Sequence, residues 1–228
     1  GLYIDDMAID RTTMKRVRKV LENNRPDPRI DLHSANQFNQ SDGFINSAFL
    51  YMEHMPYLDR LWFGEYFKYE KAPDYWLTEV SGIPFGMMGE MLQNDGNPWR
   101  GMVYGMTCRY KYHGKETPKF FWSVWDYFKI EESRMVGYWV SSNPVKTNNK
   151  DVYATAFVKD GEVMVALANW SKSSAKVKLQ IDWDTLGIDK SNAKIYFPDM
   201  DILQKEQTIE VSTEILLEKE GGALVIIK

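Results

Sequence analysis

Short apolar segments alternate with amphipathic ones in the first part of the chain. Leu2–Ile4 has the pattern of a β-strand, and Thr12–Asn24 carries apolar residues at helical spacing with Arg and Lys on its other face. The sequence Arg25-Pro26-Asp27-Pro28 is predicted to end this helix, because proline cannot continue one. Ile30–His33 is then predicted as the second strand.

The same alternation continues beyond residue 40. A helix is predicted over Ser47–Met55 and a third strand over Leu61–Glu65. A fourth unit is predicted around either Ile83–Leu92 or Met102–Cys108, and a last helix over Lys119–Lys129.

Alternating strands and helices are typical of a parallel sheet. A closed (β/α)8 barrel of the TIM type takes about 250 residues, so the roughly 140 residues of this region can supply only half of one. We therefore expect residues 1–143 to be the C-terminal portion of a (β/α)8 barrel whose earlier strands lie outside this chain. A small open doubly wound sheet is the alternative.

The pattern changes after the polar stretch SSNPVKTNNK at residues 141–150, which is typical of a linker. Short runs rich in β-branched residues follow, and Asp160-Gly161 is a hairpin signal between the first two. Residues 150–228 are therefore predicted to form a small antiparallel β-sandwich. Its predicted strands are Val152–Val158, Glu162–Ala168, Ala175–Ile181, Lys194–Phe197, Thr208–Val211 and Ala223–Ile227.

Composition and charge narrow the classes of function. The net charge of −4 disfavours a nucleic-acid partner, and no apolar run is long enough to span a membrane. Cys108 is the single cysteine, so no internal disulfide can form. Phosphate-loop and dinucleotide patterns are absent, and no cofactor is expected because chemistry on carboxylates alone needs none. The HExxH pattern is absent too, so no metal ion is expected, although a weak metal site of Asp5, Asp6, His33 and Glu65 stays open.

Aromatic residues are concentrated in the first region. Of the 32 aromatic residues, 26 precede residue 141. Many must belong to the core, because large rings dominate burial. This density also suits stacking on sugar rings, which present apolar C–H faces.

Two carboxylates, Asp5 and Asp6, follow the first strand. Functional side chains of parallel α/β folds lie at the carboxyl ends of the strands, where such a pair can divide the roles of acid, base or nucleophile. Alternatively, Asp6 or Asp10 caps the following helix and Asp5 forms an ion pair.

Further candidates follow the second and third strands. Glu65 comes directly after an aromatic strand and is a candidate catalytic acid, with an ion pair to Arg60 or Arg100 as the alternative. The candidate substrate-binding residues have side chains suited to hydrogen-bonding or stacking on a sugar. They are Asp31, His33, Asn36, Trp62 and Tyr66.

Several stretches together resemble glycoside hydrolase family 123 and its bacterial relatives. They are GLYIDDMAIDR, RIDLHSANQF, YMEHMPYLDRLWFGEYFKY, DYWLTEVSGIPFGMMGEML and PWRGMVYGMT. In the second region, VMVALANWS, LQIDW and GGALVIIK resemble the small β-sandwich that closes many such enzymes.

The resemblance implies a barrel glycosidase that acts on β-linked N-acetylgalactosamine and retains configuration through the substrate's own acetamido group. It implies that Asp5 orients the acetamide and that Asp6 is the acid/base. The family has Glu at this second position, so a two-carboxylate mechanism stays open, retaining or inverting, with Glu65 or Asp31 as the second group.

We therefore expect a glycoside hydrolase with a carbohydrate substrate, in a location outside the cytoplasm that the resemblance implies. The missing barrel strands would be supplied by the full-length protein, and the chain alone would then be inactive. Two alternatives stay open. One is a carbohydrate-binding or structural barrel without activity, and the other is a metal-dependent hydrolase.

Overall fold

The computed structural model describes residues 1–5, 9–33, 53–62, 71–74, 87–88, 96–106 and 117–228. The chain forms two compact units. The first contains residues 1–90 and 106–109, and the second contains residues 91–105 and 110–228.

A four-stranded parallel sheet forms the first unit. Its order is β1-β2-β3-β4, so each strand lies beside the next one in the chain, as expected for successive strand–helix units. Within the described residues, β1 is paired on one side only. The strands are β1 (Leu2–Asp5), β2 (Ile30–His33), β3 (Arg60–Trp62) and β4 (Met87–Met88).

The connection from β1 to β2 contains helix α1 (Arg11–Asn24), which begins one residue before the predicted helix. Asp10 caps it, because its carboxylate accepts a hydrogen bond of 2.7 Å from the backbone N–H of Thr13. This bond lowers the pKa of Asp10. The capping alternative is thus the observed role of Asp10.

The fourth strand lies at Met87–Met88, inside the first of the two predicted segments. The second segment, Met102–Cys108, instead begins within helix α2 (Pro98–Val103). A 3₁₀ turn at Met55–Tyr57 lies at the end of the predicted helix Ser47–Met55, and residues 47–52 of that helix lie outside the described part of the chain.

Asp59 holds the amino ends of two strands together. It precedes β3, and its Oδ2 accepts a hydrogen bond of 2.7 Å from the backbone N–H of Ile30, the first residue of β2. The same oxygen lies 2.6 Å from Nη1 of Arg18 on α1. The Asp59 side chain is 7% exposed, so a buried carboxylate joins two strands and a helix.

The second unit is an antiparallel β structure. Its main sheet has six strands in the order β12-β11-β14-β8-β7-β5, and two two-stranded sheets, β10-β6 and β13-β9, complete it. The strands of the large sheet are β5 (Arg134–Val136), β7 (Val152–Lys159), β8 (Glu162–Asn169), β11 (Lys194–Phe197), β12 (Gln207–Glu210) and β14 (Gly222–Ile227). The small sheets contain β6 (Val145–Thr147), β9 (Ala175–Val177), β10 (Leu179–Ile181) and β13 (Ile215–Leu217).

Strand β8 is buried on both faces. Val163, Val165 and Leu167 belong to the apolar core that the sheets enclose, while the alternate residues Met164 and Ala166 are buried on the opposite face. Helix α2 packs on this second face. The sandwich therefore carries helical cover, which explains why its central strands have no polar face.

A buried threonine attaches α2 to the sheet. The hydroxyl of Thr155 on β7 donates a hydrogen bond of 2.6 Å to the carbonyl oxygen of Val103, and accepts one of 3.2 Å from the backbone N–H of Tyr138. The Thr155 side chain is inaccessible to solvent. Its hydroxyl thus pairs with two backbone groups, the buried carbonyl of Val103 and the part-buried N–H of Tyr138.

The second unit includes residues that the sequence analysis placed before it. Helix α3 (Thr117–Phe128) and strand β5 both precede residue 143. In the polar stretch at 141–150, Asn143 is buried and donates a hydrogen bond of 2.8 Å to the carbonyl of Ala154. This stretch is therefore part of the sandwich, since it also contains β6, which pairs with β10. A last short helix, α4 (Trp183–Leu186), follows β10.

We predict that Asp59→Asn lowers the free energy of unfolding by about 2–4 kcal/mol, because it leaves Arg18 without its buried partner. Urea unfolding of the protein measures this. Glu22→Gln is the matched control, since Glu22 contacts the same arginine but is 52% exposed, and should cost less than about 0.5 kcal/mol. Equal losses would contradict the role of Asp59.

A second prediction concerns the joint between α2 and the sheet. Thr155→Val keeps the shape but removes the hydroxyl, so it should lower the free energy of unfolding by about 1–3 kcal/mol. Thr155→Ser keeps both hydrogen bonds and should cost about 1 kcal/mol through the lost methyl group. Thermal or urea unfolding compares them, and a serine variant less stable than the valine variant would contradict this.

Candidate functional site

The in-register pairing of the first unit places four residues in one row at the carboxyl ends of the strands. Asp5 is aligned with His33, His33 with Trp62, and Trp62 with Met88. In a parallel sheet, residues in register have their side chains on the same face. The row is therefore built by the backbone, and it lies where functional groups of α/β folds occur.

Asp5 and His33 form a close pair in this row. Oδ1 of Asp5 lies 2.6 Å from Nδ1 of His33. Because an ionised carboxylate only accepts hydrogen bonds, Nδ1 carries the proton in this pair. The Asp5 side chain is 69% exposed and that of His33 is 14% exposed, so a substrate can reach the carboxylate while the sheet supports the imidazole.

Tyr3 supports the same pair from two positions upstream on β1. Its hydroxyl donates a weak hydrogen bond of 3.4 Å to Oδ1 of Asp5. Its ring lies 6.4 Å from the His33 ring, with the planes inclined by 22°. Tyr3 shares a face with Asp5 because strand residues two apart lie on the same side.

A second layer of aligned residues lies two positions closer to the amino ends of the strands. Tyr3 is aligned with Asp31, and Asp31 with Arg60. Arg60 binds both oxygens of Asp31, with Nε 2.9 Å from Oδ1 and Nη2 2.7 Å from Oδ2. This bidentate pair neutralises the charge of Asp31 beneath the Asp5–His33 pair.

Not all the predicted site residues can be placed. Asp6, Asn36, Glu65 and Tyr66 lie outside the described residues. Trp62 is placed by its backbone alone, as the neighbour of His33. Of the predicted set, the structure thus brings together Asp5, His33 and, one layer deeper, Asp31.

Two residues that contact the predicted site residues, Tyr3 and Arg60, were not predicted from the sequence. Tyr3 was assigned only as an apolar strand residue, and Arg60 was considered only as a partner of Glu65. Period-two alternation on β1 and β3 could have indicated both, since Tyr3 comes two residues before Asp5 and Arg60 two residues before Trp62 in the sequence. Among the described residues, Arg60 forms an ion pair with Asp31.

Tyr104, one of the aromatic residues before residue 141, has a structural role in the second unit. Tyr104 is buried and packs edge-on against Tyr138 and Trp170, at 6.0 and 6.1 Å between ring centres. Burial raises the pKa of the Tyr104 hydroxyl, and the neighbouring Tyr138 adds to this. Tyr104 therefore belongs to the core, as expected for many of these rings.

The described side chains at the strand ends offer a carboxylate, that of Asp5, and an imidazole, that of His33, for chemistry. Within the described ranges, no group of three or more His, Cys, Asp or Glu side chains has the geometry of a metal site. The exposed carboxylate of Asp5 can accept a hydrogen bond from a ligand or stabilise a positive charge. His33 fixes the orientation of Asp5, as second groups do in many polar sites.

A parallel sheet with a carboxylate at its strand ends, followed by an antiparallel sandwich, is an architecture seen in barrel glycosidases. Comparison with protein families supports this interpretation of the fold. Residues 1–111 match the TIM-barrel domain of glycoside hydrolase family 123, and residues 117–228 match the C-terminal domain of that family. The chain belongs to glycoside hydrolase family 123.

Solved glycosidase structures share this fold at low sequence identity. An Anoxybacillus α-amylase superposes with a TM-score of 0.55 and 10% identity, over 99% of this chain and 58% of its own. A maltogenic α-amylase from Thermotoga neapolitana gives 0.52 and 7%, over 98% and 60%. A β-L-arabinopyranosidase of family GH27 from Geobacillus stearothermophilus gives 0.50 and 12%, over 100% and 57%.

The chain therefore spans 57–60% of the length of these glycosidases. A comparison with curated proteins gave no match. Among the residues that the structure describes, every helix is too short or too polar to cross a membrane.

The Asp31–Arg60 pair can be tested by a double-mutant cycle. We predict a coupling energy of about 1–2 kcal/mol between Asp31→Asn and Arg60→Gln, because a bidentate, half-buried pair is stronger than an exposed one. Urea unfolding of the two single variants and the double variant measures it. Additive losses would contradict the pairing.

Proposed function

We propose that this protein is a glycosidase that cleaves a glycosidic bond through side chains at the carboxyl ends of its parallel strands. The observation that carries the proposal is the exposed carboxylate of Asp5, held 2.6 Å from His33 at the end of β1. Membership of family 123 and the glycosidase folds of similar structures support it.

For the substrate, we propose a β-linked N-acetylgalactosaminide, following the family resemblance. In substrate-assisted hydrolysis the acetamido oxygen attacks C1 while an acid protonates the leaving oxygen, and water then opens the cyclic intermediate. Asp5 would accept a hydrogen bond from the acetamide N–H and stabilise the positive charge that forms on that group. His33 and Tyr3 would hold the Asp5 carboxylate in position.

The proton donor in this scheme is Asp6, the next residue along the chain. Asp31 is less suited to act as a second catalytic carboxylate, because Arg60 already occupies both of its oxygens. Its proposed role is to keep the layer beneath the Asp5–His33 pair ordered. Glu65 is the remaining candidate for a two-carboxylate mechanism.

Barrel closure is part of the proposal. Eight strands close a TIM-type barrel, and among the described strands β1 lies at the edge of the sheet, with exposed Leu2 and Tyr3 side chains. We propose that further strands of the full-length protein pair with β1 and complete the substrate site. A location outside the cytoplasm, where glycans are abundant, is proposed from the family resemblance.

The proposal predicts that Asp5→Asn in the full-length protein lowers kcat/KM for an aryl β-N-acetylgalactosaminide by at least about 100-fold, because a neutral amide stabilises the charged intermediate poorly. His33→Gln should cost less, about tenfold, since it affects only the orientation of Asp5. The release of the aryl group is measured by absorbance, with Asp10→Asn as the matched control outside the strand-end row.

The same assay separates the mechanisms. Substrate assistance requires the acetamido group, so the matching aryl β-galactoside should not be cleaved. Cleavage of both substrates, with activity lost in Glu65→Gln, would indicate a two-carboxylate mechanism instead. Full activity in Asp5→Asn would contradict the assignment of Asp5, and sugar binding without turnover would favour a carbohydrate-binding barrel.

A further inference from the structure

A groove lies at the opposite ends of the strands from Asp5 and His33. It has a volume of about 510 Å³ and is formed between α1 and the segment from Met55 to Asp59. Asp59 binds the first residue of β2, so the groove is at the amino ends of the strands. Four-residue strands separate the two ends by about 10 Å.

The helix that forms one wall of the groove is strongly basic in an acidic protein. Arg11–Asn24 contains five basic residues and one acidic residue, whereas the whole chain has a net charge of −4. A local reversal of charge of this kind attracts anionic ligands.

Two lysines in this wall have no ion-pair partner among the described residues. Arg18 is neutralised by Asp59 and Glu22, at 2.6 and 2.7 Å. Lys15 and Lys19 both line the groove and are exposed, and neither has an ion-pair partner within the part of the chain that the structure describes. They are four residues apart on α1, so their side chains lie next to each other on one face.

The wall of the groove opposite α1 contains an aromatic ring. Tyr57 is half-buried in the 3₁₀ turn and lines the same groove, beside the exposed Pro56. A partly exposed aromatic ring provides an apolar surface with a polar tip, which suits the C–H face and hydroxyl groups of a pyranose. The groove thus combines a ring with two adjacent positive charges.

From this combination we propose that the groove binds a sulfated glycan chain, with Tyr57 stacking on a sugar ring and Lys15 and Lys19 contacting sulfate groups. This is a binding site beyond the proposed catalytic function. A nucleic acid fits less well, because Tyr57 is the one aromatic ring in the described lining, whereas single strands stack successive bases on several rings. A lipid surface is bound by a broad apolar helix face, which a groove with charged walls does not provide.

Binding of a chondroitin sulfate oligosaccharide to the full-length protein, measured by calorimetry, tests the proposal. Lys15→Glu/Lys19→Glu should weaken binding by at least about tenfold, and Lys15→Gln/Lys19→Gln by less. Arg11→Glu/Arg16→Glu changes the net charge equally on the same helix, outside the groove lining, and should have a smaller effect. The desulfated oligosaccharide should bind at least about tenfold more weakly than the sulfated one.

Tyr57→Ala separates sugar recognition from simple charge attraction. It should weaken binding of the sulfated oligosaccharide and leave binding of inorganic polyphosphate, which has no ring, unchanged. An equal effect of the two double glutamate variants, equal binding of the desulfated chain, or binding only to phosphatidylglycerol vesicles would each overturn the proposal. Hydrolysis of a neutral aryl glycoside should stay unchanged in the lysine variants, so this result is independent of the proposed activity.

Discussion

The in-register parallel pairing of β1 with β2 decides which side chains meet in the first unit. Because Asp5 is aligned with His33 and Tyr3 with Asp31, the polar residues form two layers on one face of the sheet. A slip of one residue would move every one of these side chains to the other face. The candidate site therefore depends on register before it depends on any single contact.

The register of the strands is fixed at their amino ends, opposite Asp5 and His33. Asp59 binds the backbone of Ile30 and the side chain of Arg18, and so sets where β2 starts relative to α1 and β3. The contacts of Asp59 thus lie at one end of the sheet and the candidate site at the other. In barrel folds generally, one end of the sheet provides stability and the other carries function. Charge also differs between the ends, with a carboxylate exposed at one and two lysines at the other.

Periodicity in the sequence was sufficient for β1, β2 and α1 and for strands β7, β8, β11, β12 and β14 of the sandwich, because these elements have clear apolar patterns. It missed the short strands β5, β6 and β13, and it predicted β9 and β10 as one strand. Burial of polar groups was not predictable in the same way. Asn143 and Thr155 occupy positions that look like a linker or an ordinary strand, yet they satisfy buried backbone groups from distant parts of the chain. The Asp31–Arg60 pair was missed for a similar reason, since sequence spacing does not reveal which of several carboxylates an arginine binds.

Asp5 and His33 lie in one row at the carboxyl ends of β1 and β2, and the central claim is that this row binds the sugar. A crystal structure of the full-length protein with a bound N-acetylgalactosamine derivative tests this most directly. We expect an acetamido or hydroxyl group of the sugar within about 3 Å of a carboxylate oxygen of Asp5. A sugar bound only at another place, with Asp5 not in contact with it, would contradict the assignment of the strand ends as the substrate site.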